Sequence, residues 1–158
     1  MLRRIAGFHE DDNGDWVAEL DCLHGQHVRH RPPFWERAWV ESETGRQRRV
    51  GTDLDCPLCD RAELPPELVA TRTAGPFDAR TMPPGLLRDH RVADSTWGLL
   101  RVLEGEVGFR METVPPMETR LVTGQEQPIP PGVPHHVVIE GPVVLTVTFL
   151  SRPAWRTC

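Results

Sequence analysis

The sequence predicts a mainly β protein: a small β-hairpin module built around a metal site, followed by an antiparallel barrel of jelly-roll type. Three observations carry this. Apolar residues recur at every second position, as in Val107, Phe109 and Met111 or in Val143, Leu145, Val147 and Phe149, which is the period of a strand with one buried face. Turn pairs rich in proline and glycine separate these runs, and no long helical period intervenes. Finally, Cys22, Cys56 and Cys59 sit together in the first part of the chain, near several histidines.

The first element is a strand pair, GFHEDDNGDWVAELDC. Asp12, Asn13, Gly14 and Asp15 supply its turn, and Trp16, Ala18 and Leu20 alternate with Val17, Glu19 and Asp21. A second reversal follows over residues 22–27, where Gly25 lies between two extended runs, and the strand beyond it ends at Pro32 and Pro33. Phe34, Trp35 and Trp39 then suggest a core patch, and residues 41–49 read as one short helix interrupted by Gly45. The segment closes on Cys56-Pro57-Leu58-Cys59.

A Cys-x-x-Cys turn folds back so that two thiolates face one ion, which is half of a tetrahedral zinc site. The other half is expected from the second reversal, from Cys22 with either His24 or His27. His24 is two residues from Cys22, whereas His27 lies opposite it if the residues between them form a hairpin loop; both stay open. His30 and His9 read as surface or core histidines. A thioredoxin-type redox pair needs a strand–turn–helix setting, and Pro65 and Pro66 break the segment after Cys59. The expected cofactor is therefore a structural zinc ion. About 60 residues barely support a core unaided, so a metal contributing folding free energy would explain how so small a module stands. Cys158, the last residue, reads as an incidental thiol.

Composition narrows the partners. The net charge is −5 over 158 residues. Residues 1–60 hold eight arginines against twelve acids, and residues 61–158 hold ten against eleven. Neither half has the positive footprint of a nucleic-acid binder, and the arginines at 29, 31, 46, 48 and 49 read as short solvated faces. No run approaches the ~18 apolar residues of a membrane span. The N-terminus turns acidic where a signal peptide needs an apolar run, so a cytoplasmic location is expected, where thiols stay reduced and ligate metal rather than pair.

Pro65 and Pro66 mark the boundary, giving a zinc-binding β-rich module over residues 1–62 and a β-barrel over residues 63–158. In the second unit, residues 99–103 run into Glu104-Gly105-Glu106 and on through Val107, Phe109 and Met111, read as a hairpin with one apolar face. Further turn signals stand at Pro115-Pro116, Thr123-Gly124, Pro130-Pro131-Gly132 and Gly141-Pro142. Many short strands of this kind close into a barrel or jelly roll.

The motifs in this unit resemble the cupin superfamily. VLEGEVGFRM looks like the end of the first cupin motif, and Pro130-Pro131-Gly132-Val133-Pro134-His135 matches the Pro-x-Gly-x-x-His of the second. More narrowly, PPGLLRDHRVADSTWGLLRVLEGE followed by PPGVPHHV resembles the cupin-like domain of tellurite-resistance protein B and of small stress-response bacterial proteins, over roughly residues 64–151. Residues 1–60, with the Cys/His pattern and the closing DCPLC, resemble a separate short bacterial family of unknown function. Cupins usually bind metal through two histidines and a glutamate of the first motif and a histidine of the second. By that pattern His135 is the second-motif histidine and His90 lies near the first. The glutamate position falls on Gly98, and the asparagine position after His135 is Ile139. Two imidazoles with water or an acid such as Asp89 would still hold a second divalent metal. The competing reading makes His90 and His135 polar residues lining a barrel mouth. His136 is expected on the opposite face, and Trp97, Phe109 and Trp155 as core or rim packing.

Three functions are compatible with these signals. The first is a cupin-like metal- or small-molecule-binding protein related to tellurite resistance and stress response, with a small molecule or oxyanion in the barrel. The second is a metal-dependent cupin oxygenase or isomerase using His90 and His135. The third is an interaction protein whose zinc module meets protein or nucleic acid through Trp35, Trp39 and the arginines around His30. The cupin resemblance also implies a homodimer. The sequence names no reaction.

Overall fold

Two compact units divide the chain, Met1–Leu58 and Cys59–Cys158. The structure, a computed structural model, describes residues 1–154, so the readings of Trp155 and Cys158 lie outside the described residues. Among these no helix is long and apolar enough to cross a membrane.

In the first unit, β1 (Leu2–Glu10) and β2 (Trp16–Leu20) pair antiparallel as the alternation predicts, with Glu10 opposite Trp16 and Phe8 opposite Ala18. Their turn is closed by Asp11, whose Oδ1 accepts from the amides of Asn13 and Asp15 at 2.9 Å each, with Gly14 at φ 77°. The Asx geometry explains why an acidic stretch turns here rather than extending. β3 (Gly25–His27) adds to β2, and β4 (Asp53–Asp55) adds to the other edge of β1, giving the order β3-β2-β1-β4. Ile5, Ala18, Leu20, Val28 and Val40 form its small core.

The helix expected over residues 41–49 is shorter, α1 (Glu43–Gln47), preceded by a 3-10 turn at Ala38–Glu41 and capped by Ser42, whose Oγ accepts from the Gly45 amide at 3.1 Å. Gly45 lies inside this helix instead of interrupting it. A Cβ there would stand 2.3 Å from the Trp39 carbonyl oxygen, so glycine is what lets the helix close onto the preceding turn. A second one-turn helix, α2 (Pro57–Asp60), follows β4 and carries the Cys-x-x-Cys segment across the unit boundary.

The second unit is built on one long strand. β5 (Val69–Asp78) and β10 (Val143–Ser151) pair antiparallel, β10 pairs with β6 (Trp97–Met111), and β6 pairs with β7 (Met117–Val122). β8 (Glu126–Ile129) and β9 (His135–Val138) also pair with β6. All these pairings are antiparallel, and the sheet curls into a half-barrel. The hairpin reading of residues 99–111 is corrected here: Glu104-Gly105-Glu106 does not reverse the chain. β6 runs straight through and changes partners there, from Val143 opposite Gly105 to Val122 opposite Glu106. Gly105 has φ 78°, and a Cβ on it would fall 2.1 Å from the Pro142 carbonyl oxygen. Its freedom lets one strand pass close to the Pro142 carbonyl as it changes partners, and the apolar alternation survives on both sides of it. Leu100, Val102, Val107, Phe109, Met111 and Leu145 are buried, as is Trp97.

Candidate metal centre and barrel pocket

The reversal between β2 and β3 is tight. The Leu20 amide donates to the His24 carbonyl at 2.9 Å and the Leu23 amide to the Leu20 carbonyl at 2.8 Å, with Leu23 at φ 72°. That left-handed residue sets Cys22 and His24 on either side of one turn. The second half of the cluster is anchored by the N-terminal strand, because the Cys56 amide donates to the Met1 carbonyl at 2.8 Å. Cys59 follows one helical turn later. The ligating atoms of Cys22, His24, Cys56 and Cys59 all lie within 4.8 Å of one another, and all four residues are buried.

Their spacing is that of a coordination shell. The sulfurs of Cys22 and Cys56 are 3.9 Å apart, far beyond the ~2.05 Å of a disulfide. His24 Nδ1 is 3.5 Å from each of them. A tetrahedral zinc with bonds of about 2.3 Å to sulfur and about 2.0–2.1 Å to nitrogen requires edges of ~3.8 Å between sulfurs and ~3.6 Å between sulfur and nitrogen. The three observed edges match. Burial alone would pull His24 down, but Cys22 and Cys56 beside its ring outweigh it and push His24 up to about 9; the cluster attracts positive charge.

Of the two histidines left open by the sequence, His24 joins the cysteines and His27 does not. His27 is exposed on β3, with Nε2 2.9 Å from Asp11 Oδ2. His9 pairs with Glu19 at 2.9 Å, and His30 Nδ1 accepts from the Arg37 amide at 2.9 Å. Trp39 is half-buried, edge-on to Phe8 with Arg49 over its face, while Phe34 and Trp35 are exposed rather than core.

His90 and His135 are brought together. Each donates its backbone amide to the other's carbonyl at 2.9 Å, and their rings meet edge to face with centroids 5.4 Å apart. His135 is buried, stacks on Phe109 at 5.8 Å, and bonds through Nδ1 to the Val133 carbonyl at 2.9 Å. Burial, helped by the neighbouring His90 and His136, pushes His135 below its ordinary value despite that hydrogen bond. Both histidines line a cavity of about 150 Å³ whose other walls include Phe77, Leu86, Leu100, Val147 and Phe149. Asp89 is not beside them as a third ligand; its carboxylate gathers instead with Glu112 and His136, where Glu112 already accepts from Arg110 at 2.6 Å. This pocket was legible only in part, since its apolar wall comes from four separated strands.

Residues 6–63 match the family described as protein of unknown function (DUF3565). Residues 72–147 match the TehB-like domain. Among solved structures, the chain is similar to a protein from E. coli strain K12, at 19% identity and TM-score 0.53, covering 58% of this chain and 97% of that one. It is also similar to TehB from Haemophilus influenzae, at 21% identity and TM-score 0.50, covering 55% of this chain and 32% of that one. The chain thus spans about a third of that TehB. At these identities the likeness concerns the fold of the TehB-like unit. No curated protein matches the chain.

Proposed function

We propose that this chain is a small binding protein related to tellurite resistance and stress response, in which Cys22, His24, Cys56 and Cys59 hold a structural zinc ion and the TehB-like barrel takes a small molecule. The observation that carries the zinc is the set of edges at 3.9, 3.5 and 3.5 Å around one buried point. Four protein ligands fill a tetrahedron and leave no position for water or substrate, which is the arrangement of a structural rather than a catalytic zinc. Zinc would supply cross-linking and charge neutralisation for three buried thiolates.

The barrel reading draws on the pocket. A catalytic zinc takes three protein ligands, and among the described residues no acid or thiol joins His90 and His135 into a group of three. That donor count weighs against a catalytic zinc at this wall, and the apolar lining supports a small-molecule pocket. Metal analysis of purified protein tests the first half: wild type and His27→Ala should carry one zinc per chain, and Cys56→Ser should carry far less. Full zinc retention in Cys56→Ser would sink the assignment.

A further inference from the structure

The barrel pocket has a chemistry of its own, and reading it rests on the proposal that the barrel binds a small molecule. Its walls combine Phe77, Leu86, Leu100, Val147 and Phe149 with two imidazoles, and among the described residues no arginine, aspartate or glutamate lines it. An anion entering such a site would lose its hydration with no cation to replace it. An oxyanion in the barrel, one of the ligands the sequence allowed, is therefore disfavoured by the pocket itself.

Two further features define what fits. Apolar cavities of about 150 Å³ hold a molecule of about benzene's size, and this one is about 150 Å³. His135 supplies the polar feature. Its Nδ1 faces the Val133 carbonyl at 2.9 Å, which requires the proton on Nδ1 and leaves Nε2 with a bare lone pair. The ring is held in place by stacking on Phe109 and by the paired backbone bonds to His90. Nε2 has no protein partner among the described residues, and the ring lines the pocket. A buried acceptor of this kind is best met by one donor on an otherwise apolar body.

We propose that the pocket binds a neutral, monocyclic phenol-sized molecule whose single hydroxyl donates to His135 Nε2. Half-buried His90 lines the same pocket.

Fluorine NMR on the full chain tests this with 4-fluorophenol, fluorobenzene, 4-fluorobenzoate, tellurite and manganese(II). Saturable 4-fluorophenol binding is expected, with fluorobenzene and 4-fluorobenzoate each at least tenfold weaker and no displacement by tellurite or manganese. Val147→Phe, which fills the cavity, should abolish binding, and His135→Phe should erase the preference of 4-fluorophenol over fluorobenzene. Equal binding of fluorobenzene by the wild type would overturn the role of His135. Displacement by tellurite or manganese, or tighter binding of 4-fluorobenzoate, would overturn the ligand class while leaving the barrel a binding site. Absence of binding by every probe would overturn both this inference and the binding reading of the barrel. The wild-type comparisons decide the matter even if a variant fails to fold, and zinc content, read separately, reports on the other half of the proposed function.

Discussion

Stripping zinc from the Cys22, His24, Cys56 and Cys59 cluster should remove about half the stability of the first unit. That unit spans Met1–Leu58, and its apolar core is limited to side chains such as Ile5, Val17, Ala18, Leu20, Val28 and Val40. A core of this size rarely supplies more than about 3–5 kcal/mol. A metal present at a thousandfold excess over its Kd adds about 4.1 kcal/mol, a contribution comparable to the whole remaining stability. In a domain of about 60 residues each kcal/mol moves Tm by roughly 4–8 °C, so chelation should lower the transition of this unit by about 15–30 °C. The assay is a chelator titration followed by amide NMR and by calorimetry. Amide signals of β1 to β4 should collapse toward random-coil positions at a temperature about 15–30 °C lower once zinc has left. If zinc is removed and the transition of these signals stays where it was, the metal does not stabilise the unit.

Other perturbations give sharper local tests. Gly105→Ala combines a left-handed φ of 78° with a Cβ 2.1 Å from the Pro142 carbonyl oxygen, and should cost about 1–3 kcal/mol in urea unfolding of the barrel; an unchanged midpoint would contradict the need for glycine there. Leu145→Ala opens a fully buried site and should cost about 2–5 kcal/mol, whereas Val114→Ala, wholly exposed, should change stability by less than about 0.5 kcal/mol. Asp11 is held at about 2, first by its hydrogen bond with His27 and then by the Asp15 amide, with burial opposing and the Asn13 amide adding to the shift. Its folded value lies below the ordinary 3.8, so its stabilisation is complete above that value and is lost as pH falls toward 2. Asp11→Asn should flatten that part of the pH–stability curve, and an unchanged slope would remove Asp11 as its source.

Much of the fold was legible because strand period and turn chemistry are local signals. Val107, Phe109 and Met111, and Val143, Leu145 and Val147, face the core as their alternation requires. Gly105 misled because a glycine between two glutamates signals a reversal as readily as a left-handed residue within one continuous strand, and only the close approach of Pro142 distinguishes them. Cys22, Cys56 and Cys59 announced themselves by type and spacing. The choice between His24 and His27 turned on the left-handed Leu23 and on Asp11, which pairs with His27 across 16 positions of sequence; neither leaves a mark in the spacing. Phe34 and Trp35 read as core from hydrophobicity alone, yet they stand exposed near the bridge between Arg31 and Trp35. The apolar wall around His90 and His135 was hidden for a different reason: Ala74, Leu100, Val137 and Val147 meet there from four strands, and a single sequence carries no record of such pairings.

X-ray absorption at the zinc edge tests the central claim most directly. The purified chain should show three sulfur neighbours at about 2.3 Å and one nitrogen at about 2.0–2.1 Å, from Cys22, Cys56, Cys59 and His24, unchanged in His27→Ala. A shell made only of nitrogen and oxygen, or a spectrum that changes with His27→Ala and not with His24→Ala, would contradict it.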